Sequence, residues 1–333
     1  MHMADALLSP AVGLALDAGA GALLTGAARQ LSRRPDYQRK VPLMGVLGAF
    51  VFAAQMVNFA IPGTGSSGHL AGGLLLSILL GPEAGLLVIA SVLLVQAFFF
   101  ADGGLLALGC NLFNMGLWPA LLGLPLYRRL AGDRPGTLRL TLACLVPAVL
   151  AAELGAFGVM VETQLSGRAD LPFSRFAALM LGIHLPIGVV EGLATAAMIR
   201  FAARMGALRP APEGAAPERL PLAPTVLALA VFLGCAGAWF ASTRPDGLEW
   251  SLARAGAALP TAPGRAHEVL RAVQRFTALM PDYALPGRRD AAAPPAKLDT
   301  SLAGALGLLA TAGLVAGGAA LSRRGRGPGR SAR

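Results

Sequence analysis

The amino-acid sequence predicts an all-α, polytopic membrane protein with about nine transmembrane helices. Charged residues make up only 14% of the 333-residue chain and hydrophobic residues 55%, whereas soluble domains carry roughly 25% charged residues. Long apolar stretches recur along the chain and are separated by shorter polar or basic loops. The mean hydropathy of +0.62 agrees with this class. We therefore expect a multi-pass protein of the cell (inner) membrane.

The apolar stretches that are long enough to cross a bilayer define the predicted spans. They cover residues 5–28, 42–61, 69–100, 104–126, 138–162, 174–200, 222–241 and 300–321. The stretch 69–100 is too long for one span and is interrupted by Gly81-Pro82-Glu83. Since Gly and Pro end helices, this stretch predicts two short spans or a helical hairpin.

Basic residues are concentrated in alternate loops, which predicts the topology. The Lys and Arg counts are 5 in 29–40, 4 in 128–139, 4 in 200–219 and 5 in 322–333. The loop 62–68 and the turn 101–103 contain none. The positive-inside rule then predicts an extracytoplasmic N-terminus and a cytoplasmic C-terminus. Topology also explains the net charge of +10, so we expect the lipid bilayer as a partner and no nucleic acid.

Changes in composition predict four parts of the chain. Residues 1–204 form a transmembrane domain of about seven helices, and 205–221 form a cytoplasmic linker rich in Pro, Ala and Arg. Residues 222–321 form a second domain, in which two helices flank the polar, extracytoplasmic segment 242–298. Residues 322–333 are a basic cytoplasmic tail.

The first two residues concentrate nitrogen donors in one short stretch. The α-amine of Met1, the backbone amide of His2 and the His2 imidazole are three donors, and His69 in the loop IPGTGSSGHL could supply a fourth. Four nitrogens in a plane suit Ni(II) or Cu(II). No basic region precedes the first apolar stretch, so we expect no cleaved signal peptide. The alternative is a frayed terminus without a role.

Polar side chains in apolar spans are costly and mark either a function or a contact between helices. Gln55 and Asn58 are three residues apart, and Gln96 and Asp102 approach the same predicted outer surface. We predict that these four residues surround the histidines and orient their rings, as metal sites usually require. Hydrogen bonding between helices alone is the alternative. For Glu191, in the inner half of its span, packing or a partner subunit is the favoured role.

Several stretches resemble a known family of transport proteins. They are MHMADALLSPAVG, NFAIPGTGSSGHLAGG, SILLGPEAG, VQAFFFADGGLLALGCNLFNMG and GIHLPIGVVEGL. Together they cover about residues 1–200 and resemble the substrate-capture membrane proteins of cobalt and nickel energy-coupling-factor transporters, the CbiM/NikM family. Further stretches, PDGLEWS, MPDYALP and TSLAGALG, are similar to the small accessory protein of the same transporters. Residues 1–204 would then be a metal-capture domain, fused to an accessory domain at 222–321.

The resemblance implies a ligand set, a substrate and partners. The ion would be held by the Met1 amine, by His2 through its backbone nitrogen and side chain, and by His69. The partners would be a transmembrane coupling subunit and two ATPase subunits. The loop between Pro62-Gly63 and Gly68-His69 is one residue longer than in the cobalt branch. We therefore expect Ni²⁺ as the bound substrate, with Co²⁺ as the alternative.

Two hypotheses of other classes compete with metal transport. In one, the chain is a non-transporting membrane scaffold whose polar residues only join helices. In the other, it is an intramembrane enzyme that uses His184 and Glu191 as acid and base. The sequence contains no GxxxxGK[ST], HExxH or GxSxG motif, so we expect no enzyme and place ATP hydrolysis on separate subunits.

Overall fold

A computed structural model describes residues 2–133, 135–206, 222–257, 264–287 and 296–324. The helices are α1 (Pro10–Ser32), α2 (Tyr37–Met56), α3 (Gly73–Leu80), α4 (Pro82–Phe100), α5 (Leu108–Leu112), α6 (Leu124–Ala131), α7 (Thr137–Ser166), α8 (Phe173–Arg204), α9 (Leu222–Cys235), α10 (Gly247–Ala255), α11 (Arg265–Thr277) and α12 (Lys297–Arg324). Two π-helical turns, Phe113–Leu117 and Pro119–Gly123, join α5 to α6. Met1, residues 207–221 of the predicted linker and 325–333 of the predicted tail lie outside the described residues.

Five helices in the described ranges are long and apolar enough to cross a membrane: α1, α4, α7, α8 and α12. By contrast, α3 has 8 residues, and a rise of 1.5 Å per residue gives it a length of about 12 Å. The hydrocarbon core of a bilayer is about 30 Å thick, so α3 cannot cross it alone. The helical, membrane-spanning class is confirmed. The nine crossings and the orientation of the termini stay predictions.

The helix α1 begins later than the apolar stretch 5–28 suggests. The Ser9 hydroxyl accepts a hydrogen bond from the Val12 N–H at 3.4 Å, and Pro10 occupies the first helical position. A capping serine followed by proline is a strong start signal for a helix. Residues 2–8 therefore precede the helix as a separate segment, in which Met3 and Leu8 are 0% exposed.

The predicted break in the stretch 69–100 is present, but its first part is shorter than expected. The helix α3 starts at Gly73, so residues 69–72 are a loop. Gly81 has a φ of 91°, which favours glycine, and Pro82 begins α4. The His69 loop thus enters the space between the helices instead of forming a helical turn.

Hydrogen bonds assign the loops to two ends of the helices. At one end, Arg34 Nη2 donates to both carboxylate oxygens of Glu83, at 2.9 and 3.0 Å. This pair fixes the basic loop 29–40 to the start of α4. At the other end, Arg168 Nε donates to the carbonyl oxygen of Ala6 at 3.3 Å. The segment that carries His2 therefore lies beside the turn between α7 and α8, opposite the basic loop.

The accessory helix α12 packs on α2 and α9 through small residues, which let helix backbones approach closely. A Cβ added at Gly307 would overlap the ring of Phe52 on α2. A Cβ added at Gly313, on the same helix, would meet nothing within 4 Å. Both glycines lie within α12, but only Gly307 is in close contact with another helix.

We expect Gly307→Ala to lower the free energy of unfolding by about 1–3 kcal/mol, because the added methyl group overpacks the contact with Phe52. Gly313→Ala is the matched control and should be neutral or slightly stabilising, since alanine favours a helix. Thermal unfolding in detergent, followed by circular dichroism, compares the two variants. Equal transition temperatures would contradict this packing.

Candidate metal centre

The segment before α1 is held in place by hydrogen bonds to the region 103–111. The backbone N–H of Met3 donates to Asn111 Oδ1 at 2.7 Å, and Asn111 Nδ2 donates back to the Met3 carbonyl at 3.3 Å. The N–H of Gly104 bonds the same carbonyl at 3.1 Å. Further along, Asp5 Oδ1 accepts from the Leu106 N–H at 2.8 Å. Residues 2–5 are thereby fixed from both sides, unlike an ordinary frayed terminus.

His2 and His69 lie against each other in this region. Their ring centroids are 5.0 Å apart and their planes differ by 19°, so the rings are stacked. His69 follows a short hairpin in which β1 (Phe59–Ala60) pairs antiparallel with β2 (Ser67–Gly68). A Cβ at Gly68 would lie 2.6 Å from Ile187 Cγ1 on α8. A larger residue at position 68 would have to displace Ile187, so glycine favours the close approach of the hairpin to α8.

A one-way chain of hydrogen bonds determines the tautomer of His2. Gln55 Nε2 donates to the Ala71 carbonyl at 2.8 Å, and Gln96 Nε2 donates to Gln55 Oε1 at 2.7 Å. The remaining amide oxygen, Gln96 Oε1, lies 3.1 Å from His2 Nε2. Because a carbonyl only accepts, each amide orientation follows from the one before it. His2 Nε2 therefore carries the proton, and Nδ1 keeps its lone pair.

His69 is held in the complementary tautomer. Its Nδ1 lies 3.1 Å from the carbonyl oxygen of Leu70, so Nδ1 carries the proton and Nε2 keeps a lone pair. Burial lowers the pKa of His2, and burial together with nearby positive charge lowers the pKa of His69 well below its ordinary value. Both rings are neutral at neutral pH, which is the form that binds metals.

Asp102 faces the free nitrogen of His2 and is oriented by the accessory domain. Its Oδ1 is 3.9 Å from His2 Nδ1, and its Oδ2 accepts a 2.5 Å hydrogen bond from the Tyr283 hydroxyl. Burial and the charge of Asp102 raise the pKa of Tyr283 well above its ordinary value, so the hydroxyl keeps its proton. Negative charge thus lies beside the unprotonated nitrogen.

Among the four predicted orienting residues, Asn58 does not join the network. The helix α2 ends at Met56, so Gln55 and Asn58 do not share a helical face. The backbone carbonyl of Asn58 accepts from the Ser242 N–H at 2.8 Å instead. Gln55, Gln96 and Asp102 are the members that the structure brings to the histidines.

The structure places the Glu191 carboxylate in contact with the loop that carries His69. Its carboxylate accepts from the Ala71 N–H at 2.8 Å and from the Gly72 N–H at 2.9 Å. Glu191 was expected to serve packing or a partner subunit rather than a metal, and the structure gives it a structural role that supports the His69 loop. Sequence reasoning misplaced it because it treated residues 69–72 as part of a span, whereas they form a loop that reaches down to α8.

The metal donors in the described ranges are few. No group of three or more His, Cys, Asp or Glu side chains in these ranges is spaced to hold a metal ion. Met1, the third predicted ligand residue, lies outside the described residues. A centre built on His2 and His69 would therefore need donors of another kind, such as main-chain nitrogens.

The start of the accessory domain is bonded to the His69 hairpin. The N–H of Ser67 donates to the Pro245 carbonyl and the Ser67 hydroxyl to the Arg244 carbonyl, both at 2.8 Å. Trp250 Nε1, on α10, donates to the Thr64 carbonyl at 2.9 Å. Residues 244–250 thus extend along the hairpin and restrict its movement.

Later parts of the accessory domain contact the other two segments of the site. Gln274 Nε2 on α11 donates to the Gly103 carbonyl at 2.7 Å, next to Asp102. His267 Nε2 lies 2.9 Å from the carbonyl oxygen of Leu8, behind the segment that carries His2. The accessory domain therefore bonds to all three segments that form the site.

The fold and the site define the chain as a multi-pass membrane protein that carries buried histidines of defined tautomer at one end. Residues 2–208 match the family described as the cobalt uptake substrate-specific transmembrane region, CbiM. The chain belongs to this family. Residues 221–324 match the PDGLE domain, so the resemblance to a capture protein fused to an accessory protein is confirmed.

Relatives of known class support the same assignment. The chain is 31% identical to the fused nickel transport protein NikMN of Rhodobacter capsulatus, over 97% of this chain and 99% of that protein. It is 33% identical to a putative fused nickel transport protein NikMN of Archaeoglobus fulgidus, over 75% and 78% of the two chains. A crystal structure of a truncated transition metal transporter matches with a TM-score of 0.52 and 28% identity, covering 61% of this chain and 99% of that one. These relatives are named as metal transport proteins.

If His2 binds the transported metal ion, Gln96→Leu should weaken the binding of Ni²⁺ or Co²⁺ by about 10- to 100-fold, the usual cost of losing a residue that orients a ligand. The variant leaves the His2 Nε2–H without its acceptor and frees the ring to turn. Asn58→Leu, the same chemical change outside the network, should leave affinity unchanged. Competition titration with a chelator of known affinity compares both variants, and equal affinities would argue against the hydrogen-bond chain.

Proposed function

We propose that this chain is the ion-capturing membrane component of an energy-coupling-factor transporter for the uptake of Ni²⁺ or Co²⁺. The observation that carries the proposal is the stacked pair of His2 and His69, each with one unprotonated ring nitrogen. Both rings are buried, and Gln96 and the Leu70 carbonyl fix their tautomers. Neutral imidazoles whose rings are held in one orientation are suited to bind a transition metal.

The ligand set that we propose consists of nitrogens only. It comprises the α-amine of Met1, the backbone nitrogen and Nδ1 of His2, and Nε2 of His69. Such a set disfavours Mg²⁺ and Ca²⁺, which prefer oxygen. Planar coordination with a deprotonated amide suits Ni(II). Gln55 and Gln96 would hold the His2 ring, and Asp102 would offset part of the ion's charge.

Nickel is the first choice for the substrate and cobalt the second. The longer TGSS loop before Gly68-His69 and two relatives named as fused nickel transport proteins support nickel. The description of the family refers to cobalt uptake. Copper would bind such a nitrogen set even more tightly, so discrimination against copper has to depend on metal supply or on loading.

The orientation and the partners complete the proposal. The end of the helices that carries His2, His69 and the accessory segment faces outward, and the basic loop 29–40 faces the cytoplasm, as the positive-inside rule requires. Nine crossings connect the two sides. A transmembrane coupling subunit and two ATPase subunits would drive release of the ion, since the sequence has no nucleotide-binding motif.

The geometry gives little support to the intramembrane-enzyme hypothesis. Both carboxylate oxygens of Glu191 accept backbone N–H groups of the His69 loop. These bonds give the Glu191 carboxylate a positioning role for the loop, which accounts for its place in the span without catalysis.

We expect two residues added before Met1 to abolish tight binding of Ni²⁺ and Co²⁺, because the extension replaces the free amine by an amide. His69→Ala should weaken binding strongly, since it removes one of four donors. The same two residues added after Arg333 are the matched control and should have no effect. Isothermal titration of the purified proteins with each metal measures these changes. Unaltered binding by the N-terminally extended protein would exclude the amine as a ligand.

A further inference from the structure

A small cavity is lined in part by His69. Its volume is about 20 Å³, and it is enclosed by the His69 loop, α8 and the start of α10. The polar side chains that line it are His69, His184, Glu191 and Asp246. A cavity needs about 10–15 Å³ to hold a water molecule. This one has room for one water molecule or one ion.

His184 contributes an unpaired nitrogen to this cavity. The side chain is 0% exposed, and its Nδ1 lies 2.7 Å from the Met180 carbonyl, so Nδ1 carries the proton. The other ring nitrogen, Nε2, is buried and has no hydrogen-bond partner. Histidine ligands of metals show this same arrangement, with one ring N–H donated to a carbonyl and the other nitrogen free to coordinate.

The accessory domain brings a carboxylate to the same cavity. Asp246 caps α10, since its Oδ1 accepts from the Glu249 N–H at 2.8 Å. The next residue, Gly247, lies against the imidazole: an added Cβ would be 3.1 Å from His184 Cε1 and 3.3 Å from Nε2. The hydrogen bonds between Ser67 and Pro245 hold this turn in place. Asp246 reaches the cavity only because the accessory segment is docked.

Glu191 is bonded to the loop that forms one wall of the cavity. Each of its oxygens already accepts a backbone N–H, from Ala71 and from Gly72. It therefore holds the wall of the cavity. His184 and Asp246 line the same cavity and come from the two different domains of the chain.

We propose that His184 Nε2 and the Asp246 carboxylate form a second, weaker coordination position for the transition-metal ion, beside His69, which exists only while the accessory segment is docked. The inference rests on the proposed function, because it concerns the same ion. One imidazole and one carboxylate bind more weakly than a four-nitrogen set, which suits transient occupancy during loading. The accessory domain would thus contribute a ligand as well as supporting the loops.

Titration of the purified full-length protein with Co²⁺ tests this position. High-spin cobalt with nitrogen and oxygen ligands absorbs visible light differently from cobalt in a planar nitrogen set, and equilibrium dialysis gives the stoichiometry. The native protein should bind one tight and one weaker equivalent. His184→Phe and Asp246→Asn should each weaken the second equivalent at least tenfold and retain the first. Because asparagine has nearly the same volume as aspartate, Asp246→Asn still tests the position if His184→Phe does not fold.

The controls separate this inference from the proposed function. Glu153→Gln alters another side chain with a buried, unpaired oxygen, outside the cavity lining, and should keep both equivalents. The N-terminally extended protein should lose the tight equivalent and keep the weaker one. One equivalent in the native protein and in every folded variant would overturn the inference. Loss of both equivalents in folded Asp246→Asn would also overturn it, since Asp246 would then belong to the capture set.

Discussion

In the hydrogen bond between Gln96 and His2 Nε2, the donor is determined by the directions of two earlier hydrogen bonds, from Gln55 to Ala71 and from Gln96 to Gln55. The chain starts at the Ala71 carbonyl, which can only accept, and passes through Gln55 and Gln96 before it reaches the ring. Buried amides that lose a partner are costly, so the order of donors is strongly determined. The chain connects the His69 loop, α2, α4 and the N-terminal segment. The tautomer of His2 is therefore determined by the Ala71 carbonyl, which lies in the loop that carries His69.

Preorganisation explains why so many contacts hold a segment of only a few residues. Ordering the backbone costs about 1–2 kcal/mol per residue. If the terminus became ordered only when an ion bound, this cost would weaken the binding of the ion. Here the hydrogen bonds of Asn111 to Met3 and of Asp5 to Leu106 order the segment before an ion arrives. The accessory domain contributes two more hydrogen bonds. His267 bonds to the Leu8 carbonyl, and the Tyr283 hydroxyl donates to Asp102. Folding therefore bears the cost of ordering, so less of it falls on binding.

Local sequence patterns predicted the elements well and their junctions less well. Low charge predicted the helical membrane class, and Gly81-Pro82 predicted the break between α3 and α4. The proximity of Gln55 and Gln96 to His2 and His69 also follows from their predicted positions. Asn58 was expected to share a helical face with Gln55, but α2 ends at Met56. The sequence does not show whether a helix ends one turn earlier or later. Asn111 and Glu191 were missed as site residues, since each acts on backbone groups of a distant loop. An amide or carboxylate within an apolar stretch was the available signal, but its partner depends on tertiary structure.

Charge compensation links the two carboxylates to the buried histidines. A divalent ion bound by neutral nitrogens brings its full charge into a poorly solvated region, which is costly without nearby negative groups. Asp102 lies beside His2, and Asp246 lines the cavity beside His69. Burial raises the pKa of Asp246, but neighbouring positive charge and the Glu249 N–H hold it below its ordinary value, so it is ionised. Asp102 is oriented by Tyr283 and Asp246 is supplied by α10. The positions of both carboxylates thus depend on the accessory domain.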